Sequence, residues 1–380
     1  GRIVLITAEE EPPYDRPTLS KEFMAGQAPR DWLPLHSADF YETWEIELYT
    51  GRRVERLRAE ERVLAFEDGE ELKFDRALLA TGGTPRRLNV PGMDLEGCFL
   101  LRSLADGEAI ASALEGAERA AIIGAGFIGM EVASSLRERG LEVHVVAREQ
   151  VPLVRVFGEE IGRWLQGLHQ EEGVLFHLGE TAGEISGDGA VESVALSSGE
   201  RIAADVVIVG VGVLPVVDYL NATGLVEDGA VPVDGTLKTR ADDVWAAGDI
   251  AVVPEPDGDR SHRIEHWVVA ESHGQHAARA MLGSDELYRE APFFWTRQCG
   301  VSLKYVGYPC TPERMVVRGD VQEGDFLAGY YVNGELRAAA GAGRPDDITA
   351  VAELLTAGQK VTPEAFADPE TDLLGLLEEA

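Results

Sequence analysis

A glycine loop at residues 124–129 has the residue types and spacing that dinucleotide binding requires. It reads Gly124-Ala-Gly126-Phe127-Ile128-Gly129, follows an apolar run and precedes a helix-forming stretch. In such loops the first glycine permits a tight turn, the second lets the backbone approach a pyrophosphate, and the third lets helix and strand pack closely. The helix N-terminus offers free N–H groups to the phosphates. We therefore predict a dinucleotide site at this loop.

Composition narrows the class of protein. The chain has 380 residues with 34 Lys+Arg against 67 Asp+Glu, so its net charge is −33, which argues against binding nucleic acid or an anionic membrane. Hydrophobic residues make up 45% of the chain, yet no apolar run approaches the ~20 residues of a membrane helix. No secretory leader is visible, so we expect a cytoplasmic protein. Cys98, Cys299 and Cys310 form no C-x-x-C pair, and we expect no metal site.

The elements around the loop predict an α/β protein. Residues 12–21 form a proline-broken loop that we expect to lead into a helix at Ser20. Short alternating segments across residues 44–74 predict antiparallel strands. The last 90 residues or so mix strands with a helix and predict an α+β domain without a phosphate loop of its own.

The start of the chain looks like the second half of another dinucleotide unit. Ile3–Ile6 resembles a second strand, and Glu9 lies where a ribose-binding acid is expected, about 20 residues after a glycine loop. The chain begins with Gly1 rather than Met. We expect that about 25–30 upstream residues, comprising one strand, loop and helix, are missing from this sequence.

Six short motifs occur in order along essentially the whole chain. They are Pro13-Tyr-Asp-Arg-Pro-Thr-Leu-Ser-Lys21, Ala80-Thr-Gly-Gly83, Gly124-Ala-Gly-Phe-Ile-Gly-Met-Glu131, Gly210-Val-Gly-Val-Leu-Pro215, Ala246-Ala-Gly-Asp249 and Glu265-His-Trp267. This series resembles the FAD-dependent NAD(P)H:ferredoxin reductases of the putidaredoxin, rubredoxin and aromatic-dioxygenase type, to which apoptosis-inducing factor is related.

The resemblance implies two Rossmann-like dinucleotide-binding domains, the first lacking its opening strand and glycine loop, plus a C-terminal α+β domain. The implied FAD-binding domain is discontinuous, at 1–103 and 218–290. The NAD(P)H-binding domain would span 104–217, and the C-terminal domain 291–380.

The resemblance also implies a set of FAD contacts. They are Glu9, Arg16, Lys21, Val54, Thr81, Gly82, Arg102, Asp249, Glu265, His266 and Trp267. Asp249 resembles the carboxylate that accepts a hydrogen bond from a ribityl hydroxyl; an ordinary helix cap is the alternative, and both roles can coexist.

The sharpest implied feature is a catalytic pair, Lys21 and Glu131, beside the flavin. A buried ammonium there would stabilise negative charge on the reduced flavin, while the carboxylate would keep the lysine charged and oriented. The alternative is two ordinary charges on helix surfaces. Trp267 would lie beside the ring near the nicotinamide; an aromatic at a helix start is otherwise more often core.

The NAD(P)H contacts implied by the resemblance are Gly124, Gly126, Phe127, Ile128, Gly129, Ala147, Arg148, Arg155 and Gly212. One of them departs from the family pattern, because the usual acid at the end of the second strand is here Ala147, followed by Arg148. Loss of the acid and gain of arginine fits a 2′-phosphate. We therefore expect NADPH, or both NADPH and NADH, as electron donor.

The function implied is electron transfer from NAD(P)H through FAD to a ferredoxin- or rubredoxin-type iron–sulfur protein. The alternatives are an NAD(P)H oxidase or quinone reductase without a protein acceptor, and an apoptosis-inducing-factor-like nucleotide-binding regulator. A redox disulfide is not expected, because residues 13–21 contain no cysteine. The acidic charge is awkward for docking an acidic ferredoxin, because reductases of this type usually offer a basic patch. The candidates for a local patch are arginines in or near the C-terminal domain, at 297, 314, 318, 337 and 344, and the sequence leaves their clustering open. The oligomeric state stays open between a monomer and a homodimer.

Overall fold

The structure is a computed structural model that describes residues 1–256 and 260–377. The chain divides into two compact units. Unit 1 comprises Gly1–Leu57, Val63–Leu72 and Thr84–Leu214, and unit 2 comprises Arg58–Arg62, Lys73–Gly83 and Pro215–Ala380. Residues 257–259 of the predicted FAD-binding domain and 378–380 of the predicted C-terminal domain lie outside the described residues. The three-domain boundaries stay a prediction.

The strands of the first part of the chain are β1 (Ile3–Ile6), β2 (Ile46–Tyr49), β3 (Val54–Arg58), β4 (Val63–Phe66), β5 (Glu71–Lys73), β6 (Ala77–Leu79), β7 (Gly83–Pro85), β8 (Cys98–Leu100), β9 (Arg119–Ile123), β10 (Glu142–Ala147), β11 (Val174–Leu178), β12 (Ala182–Ser186) and β13 (Ser193–Leu196). Those of the second part are β14 (Arg201–Ala203), β15 (Val206–Val209), β16 (Val213–Pro215), β17 (Val231–Pro232), β18 (Val244–Ala246), β19 (Ala251–Pro254), β20 (Ser261–His262), β21 (Phe293–Gln298), β22 (Val301–Gly307), β23 (Arg314–Asp320), β24 (Asp325–Val332) and β25 (Glu335–Ala342).

The α-helices are α1 (Ala38–Thr43), α2 (Leu104–Ala113), α3 (Phe127–Glu138), α4 (Val154–Glu171), α5 (Trp267–Met281), α6 (Pro345–Thr356) and α7 (Pro363–Ala367). Short 3-10 helices at Arg16–Ser20 and Gly248–Ile250 also bear on the site. None of the helices in the described ranges combines the length and apolar character needed to cross a membrane.

The centre of unit 1 is a parallel sheet in the order β11-β10-β9-β15-β8. Strand β9 pairs with β10 on one side and β15 on the other, and four of its five residues are buried. A strand covered on both faces has a nearly continuous apolar sequence, as Arg119–Ile123 does. The glycine loop follows β9, so it lies at the carboxyl end of the central strand, where ligands bind in open α/β sheets.

The N-terminal part of unit 1 corrects one prediction about strand direction. Strand β2 pairs with β1 in parallel, with Ile3 opposite Ile46, whereas the sequence predicted antiparallel strands from residue 44 onwards. The reason is the connection: residues 7–45 contain α1 and form a long crossover, which parallel pairing requires. Strands β3, β4 and β5 form a separate sheet in chain order.

A second correction concerns the segment that carries Lys21. The sequence predicted a loop leading into a helix at Ser20, but a 3-10 helix begins at Arg16 and ends at Ser20. Pro17 stands in its first turn, where proline is tolerated because that N–H has no helical partner. Ser20 and Lys21 therefore lie at the end of a short helix rather than at the start of one.

Unit 2 combines a small parallel pair with an antiparallel sheet. Strands β6 and β18 pair in parallel, with Ala77 opposite Val244, and the Gly248–Ile250 turn follows β18. The antiparallel sheet has the order β21-β22-β25-β24-β23, and its core includes Phe366 and Leu354 from α7 and α6. The predicted fold class is confirmed: a mixed α/β protein with a dinucleotide-binding fold and a C-terminal α+β domain.

Candidate functional site

The three glycines of the unit 1 loop are required for different reasons. A Cβ added at Gly124 would lie 2.3 Å from the Gly210 carbonyl oxygen, and one added at Gly129 would lie 2.0 Å from the Gly124 carbonyl oxygen. A Cβ added at Gly126 would meet no atom within 4 Å. The protein's own packing therefore requires Gly124 and Gly129, whereas the open space above Gly126 is available to a ligand.

Helix α3 begins within this loop, at Phe127. Its N-cap is Gly126, which offers no side chain to cap the first N–H groups. Phe127 packs edge-on against Phe157, with ring centroids 5.8 Å apart, and Ile128 is 40% exposed. An uncapped helix N-terminus beside open space suits the phosphates of a dinucleotide.

A buried ion pair joins the Arg16–Ser20 helix to α3. Lys21 Nζ lies 2.7 Å from Glu131 Oε2, and the two side chains are only 11% and 6% exposed. Ser20 Oγ donates to the same carboxylate oxygen at 2.6 Å. Ser135 Oγ, one turn further along α3, donates to the Ser20 carbonyl at 2.9 Å. The structure thus brings Lys21 and Glu131 together and adds Ser20, which the sequence analysis had not assigned to the site.

Glu9, the predicted ribose acid, lies in a hydrogen-bonded cluster within unit 1. Its carboxylate accepts from Arg16 Nη2 at 2.6 Å and from Tyr14 Oη at 2.6 Å. Tyr14 Oη in turn accepts from the Leu104 N–H at 2.9 Å, and burial raises the pKa of Tyr14 well above its ordinary value. Arg16 also donates to the Arg102 carbonyl. Tyr14 was not among the predicted site residues. Its position in the first motif, two residues before Arg16, was the signal that could have identified it.

The end of β10 carries the residues predicted to read the adenosine ribose. Ala147 is buried and Arg148 is exposed. Arg155 is 76% exposed, and its Nη2 lies 2.9 Å from Glu149 Oε1. The predicted pair of arginines is therefore unequal, because Arg155 is engaged by a carboxylate that the sequence analysis did not consider.

In unit 2, Asp249 stands in the buried turn after β18. It is 8% exposed, and the preceding Gly248 has φ +71°. His266 is the N-cap of α5, its side chain accepting from the Val268 N–H. Trp267 begins that helix, is 39% exposed and packs edge-on against Trp295 at 6.2 Å between ring centroids.

The other predicted contacts occupy backbone turns and strand ends. Thr81 is exposed, and its hydroxyl donates to the Val216 carbonyl at 2.6 Å. Gly82 has φ +65° and Gly212 has φ +99°, which is the left-handed region that favours glycine. Val54 begins β3 and is half-buried.

The donor set suits FAD and a nicotinamide coenzyme better than thiol chemistry. In unit 1 a buried ammonium and an uncapped glycine-loop helix suit a flavin edge and a pyrophosphate, and in unit 2 a buried carboxylate suits ribityl hydroxyls. The three cysteines lie outside any disulfide, and burial raises the pKa of Cys98 to about 11, so the reactive thiolate of Cys98 is disfavoured. No cluster of metal ligands occurs among the residues that the structure describes.

Comparison with known proteins identifies the family. Residues 1–274 match the pyridine nucleotide-disulphide oxidoreductase family, and residues 293–377 match the reductase C-terminal family. The chain belongs to the pyridine nucleotide-disulphide oxidoreductases. Within that family its relatives include ferredoxin reductases, so the resemblance read from the six motifs is confirmed.

Individual relatives match nearly the whole chain. Apoptosis-inducing factor 3 of Homo sapiens is 33% identical over 95% of this chain, which spans 60% of that protein's length. The ferredoxin–NAD(+) reductase component of the anthranilate 1,2-dioxygenase system of Burkholderia cepacia is 35% identical over 98% of this chain and 92% of its own.

Solved structures agree with these relatives. The ferredoxin reductase of the CYP199A2 system from Rhodopseudomonas palustris superposes with a TM-score of 0.93 at 33% identity, covering 98% of this chain and 92% of its own. Putidaredoxin reductase in its covalent complex with putidaredoxin also has a TM-score of 0.93, at 29% identity, covering 100% of this chain and 93% of its own.

Proposed function

We propose that this protein is a flavoprotein reductase that passes electrons from NAD(P)H through FAD to a ferredoxin-type iron–sulfur protein. The observation that carries the proposal is the buried Lys21–Glu131 pair at 2.7 Å. Two helix-surface charges would not be buried together in this way, because burying an ion pair costs desolvation energy. The named functions of the dioxygenase reductase and of putidaredoxin reductase support the same reading.

Bound FAD would supply the change from two-electron hydride chemistry to single-electron transfer. The residues of the chain supply charge and position. Glu131 restricts the direction of the Lys21 ammonium, and Ser20 donates to the same carboxylate oxygen, which holds that carboxylate in place. An ammonium held this way stabilises negative charge that develops beside it, since a preorganised charge in a water-poor site needs no reorganisation. In unit 1 we assign Glu9 to the adenosine ribose, and in unit 2 we assign Asp249 to the ribityl chain.

For the electron donor we propose NADPH, or use of both coenzymes. Arg148 follows the buried Ala147 and is exposed, so its guanidinium is available to a 2′-phosphate where the family pattern has an acid. Arg155 is the weaker candidate, because it is already bonded to Glu149.

The proposed acceptor must dock on a strongly acidic protein. Three of the arginines expected to form a basic patch are committed to internal partners: Arg318 donates to the carbonyls of Pro369 and Thr371, Arg337 bonds buried Glu255, and Arg344 pairs with acids. A fourth, Arg314, lies 3.6 Å from Glu364, so the protein's own groups engage most of the expected patch. We propose docking that depends only weakly on charge, so that reduction of a ferredoxin changes little with ionic strength.

Stopped-flow reduction of the FAD-loaded protein by NADPH and NADH tests the proposal. Lys21→Ala should slow flavin reduction by at least about tenfold, which corresponds to ~1.4 kcal/mol of lost stabilisation. Lys360→Ala is the matched control, because Lys360 is 83% exposed, and it should react like the wild type. Equal rates for Lys21→Ala and the wild type would remove the role assigned to Lys21.

The acceptor is tested in the same instrument. Reduced protein mixed with an oxidised ferredoxin should transfer single electrons. Transfer to oxygen or a quinone but not to ferredoxins would favour an oxidase. FAD binding without reduction by either coenzyme would favour a regulatory nucleotide-binding protein.

A further inference from the structure

Two side chains from later segments of unit 2 hold the turn that carries Asp249. The Gly248 N–H donates to Nδ1 of His273 at 3.3 Å. Arg263 Nη1 donates to the Asp249 carbonyl at 3.0 Å. The contacts therefore bind the backbone at both ends of the Gly248–Asp249 dipeptide.

The turn lies against α5, and its backbone conformation at residue 248 is one that favours glycine. Gly248 has φ +71°, and a Cβ added there would lie 3.2 Å from the Cβ of Ala270 on α5. His273 lies one turn further along the same helix and is 3% exposed. The turn thus packs closely on α5, and the His273 imidazole accepts a hydrogen bond from the Gly248 N–H.

Arg263 connects the turn to the segment that precedes α5. The same Nη1 atom that donates to Asp249 lies 2.6 Å from Glu265 Oε1. Glu265 orients the guanidinium, since a carboxylate restricts the directions in which its partner can donate. Arg263 is 28% exposed at its side chain, so its removal should leave the core intact.

We infer that Arg263 and His273 are positioning residues for Asp249, fixing the turn so that its carboxylate meets a ribityl hydroxyl of FAD. The inference rests on the proposed function, because it takes FAD as the ligand of Asp249. Neither side chain is assigned a contact with the reacting atoms. Their effect is to preorganise the carboxylate, which lowers the cost of binding.

Equilibrium dialysis of FAD against the apoprotein, together with visible circular dichroism of the bound flavin, tests the inference. Arg263→Gln should raise the FAD Kd about tenfold, because a carboxylate that is less firmly held must be ordered on binding, and should change the flavin dichroism. Arg263→Lys, which keeps a cationic donor, should recover part of the affinity. Arg279→Gln, at an exposed position in the last turn of α5, is the matched control and should bind FAD as the wild type does.

His273 is tested by a pair of variants. His273→Gln keeps an acceptor and should bind FAD nearly normally, whereas His273→Leu removes it and should raise the Kd about tenfold. If His273→Leu does not fold, the Arg263 variants decide the inference.

Two outcomes would overturn it. Arg263→Gln could match Arg279→Gln in Kd and dichroism, or it could lower only the melting temperature while the bound flavin keeps its wild-type dichroism. Failure of the wild-type apoprotein to take up FAD is a separate result, since it removes the proposed function and this inference with it.

Discussion

The glycine loop at residues 124–129 and the turn at Gly248–Asp249 both follow a buried parallel strand, yet different forces fix their shapes. In the loop, backbone touches backbone: added Cβ atoms at Gly124 and Gly129 would lie within 2.3 Å of carbonyl oxygens. In the turn, the backbone is held by side chains 14 and 25 residues further along, Arg263 and His273.

The difference determines how each region responds to change. A loop fixed by close backbone contact tolerates no added atom, because neither carbonyl can move without disturbing the strands or helix behind it. A turn fixed by hydrogen bonds loses them one at a time, and one of its partners can be protonated. A single substitution in the loop should therefore cause a large loss of stability, whereas changes at the turn should cause smaller, separate losses.

The largest expected effect separates two glycines of the same loop. Gly129→Ala places a Cβ 2.0 Å from the Gly124 carbonyl oxygen and should lower the free energy of unfolding by at least about 3 kcal/mol. Gly126→Ala meets open space and should cost less than about 1 kcal/mol, while raising the KM for NAD(P)H at least tenfold. Urea unfolding measures the free energies of unfolding, and steady-state kinetics measure the KM for NAD(P)H.

A Gly126→Ala variant that binds coenzyme normally would show that no ligand approaches this backbone. Equal unfolding free energies for the two variants would mean that close backbone contact at Gly129 does not fix the shape of the loop. Either result would contradict the proposed difference between the loop and the turn.

The second effect is a dependence of stability on pH that arises from His273, one of the two side chains that hold the turn. Burial, and then the neighbouring His276, lowers the pKa of His273 from 6.5 to about 4. Between these values the unfolded chain binds a proton that the folded protein does not, so stability falls as pH falls from 6.5 to about 4. The shift corresponds to a loss of at most about 3 kcal/mol from this residue.

The measurement compares urea unfolding of the wild type and His273→Gln at several pH values. Glutamine does not titrate here, so the variant should lose less stability on acidification. Besides His276, the ionisable groups around His273 are Tyr288, whose ring packs against it, and His262, which lines the same small cavity. His36→Gln, at an exposed position of unit 1, is the control, and identical pH slopes for all three proteins would refute the prediction.

The contrast also explains what could be predicted from sequence. The glycine loop, its strand and its helix were predicted because neighbouring residues determine them. At Gly124 and Gly129 a side chain would collide with nearby backbone atoms, so glycine is required there. The pairing of Lys21 with Glu131, 110 residues apart, came from family resemblance rather than from spacing. Arg263, His273 and Tyr14 were missed, because a side chain's partner depends on how the chain folds back. The parallel pairing of β2 was missed for the same reason, since direction is set by a crossover and not by the strand's own residues.

A third effect concerns the side chains at the end of β10, which we propose as part of the coenzyme site at the loop. Arg148→Glu should lower kcat/KM for NADPH at least tenfold, equivalent to ~1.4 kcal/mol, and leave that for NADH within about threefold, because only the 2′-phosphate differs between the coenzymes. Steady-state kinetics with both coenzymes measure this. Unchanged NADPH kinetics, with NADH strongly preferred throughout, would show that Arg148 does not read the phosphate.

The smallest effect tests whether Glu149 withholds Arg155 from the coenzyme. Glu149→Gln removes a carboxylate 2.9 Å from a guanidinium that is 76% exposed. Exposed ion pairs contribute little, so the free energy of unfolding should change by less than about 0.5 kcal/mol. The released arginine should nevertheless improve the NADPH Kd about twofold to threefold, since an added positive charge attracts a phosphate dianion even through water.

Glu159→Gln is the matched control for that change, because Glu159 forms a comparably exposed pair with Arg163 on α4. Titrations at low and high salt separate the two variants: only the Glu149→Gln gain should appear, and it should vanish as salt screens it. An equal gain in both variants would mean that any lost negative charge attracts the coenzyme. In that case coenzyme binding at the loop would depend on the overall charge of the protein as well as on its glycines. The loop would then differ less from the turn, which depends on side chains.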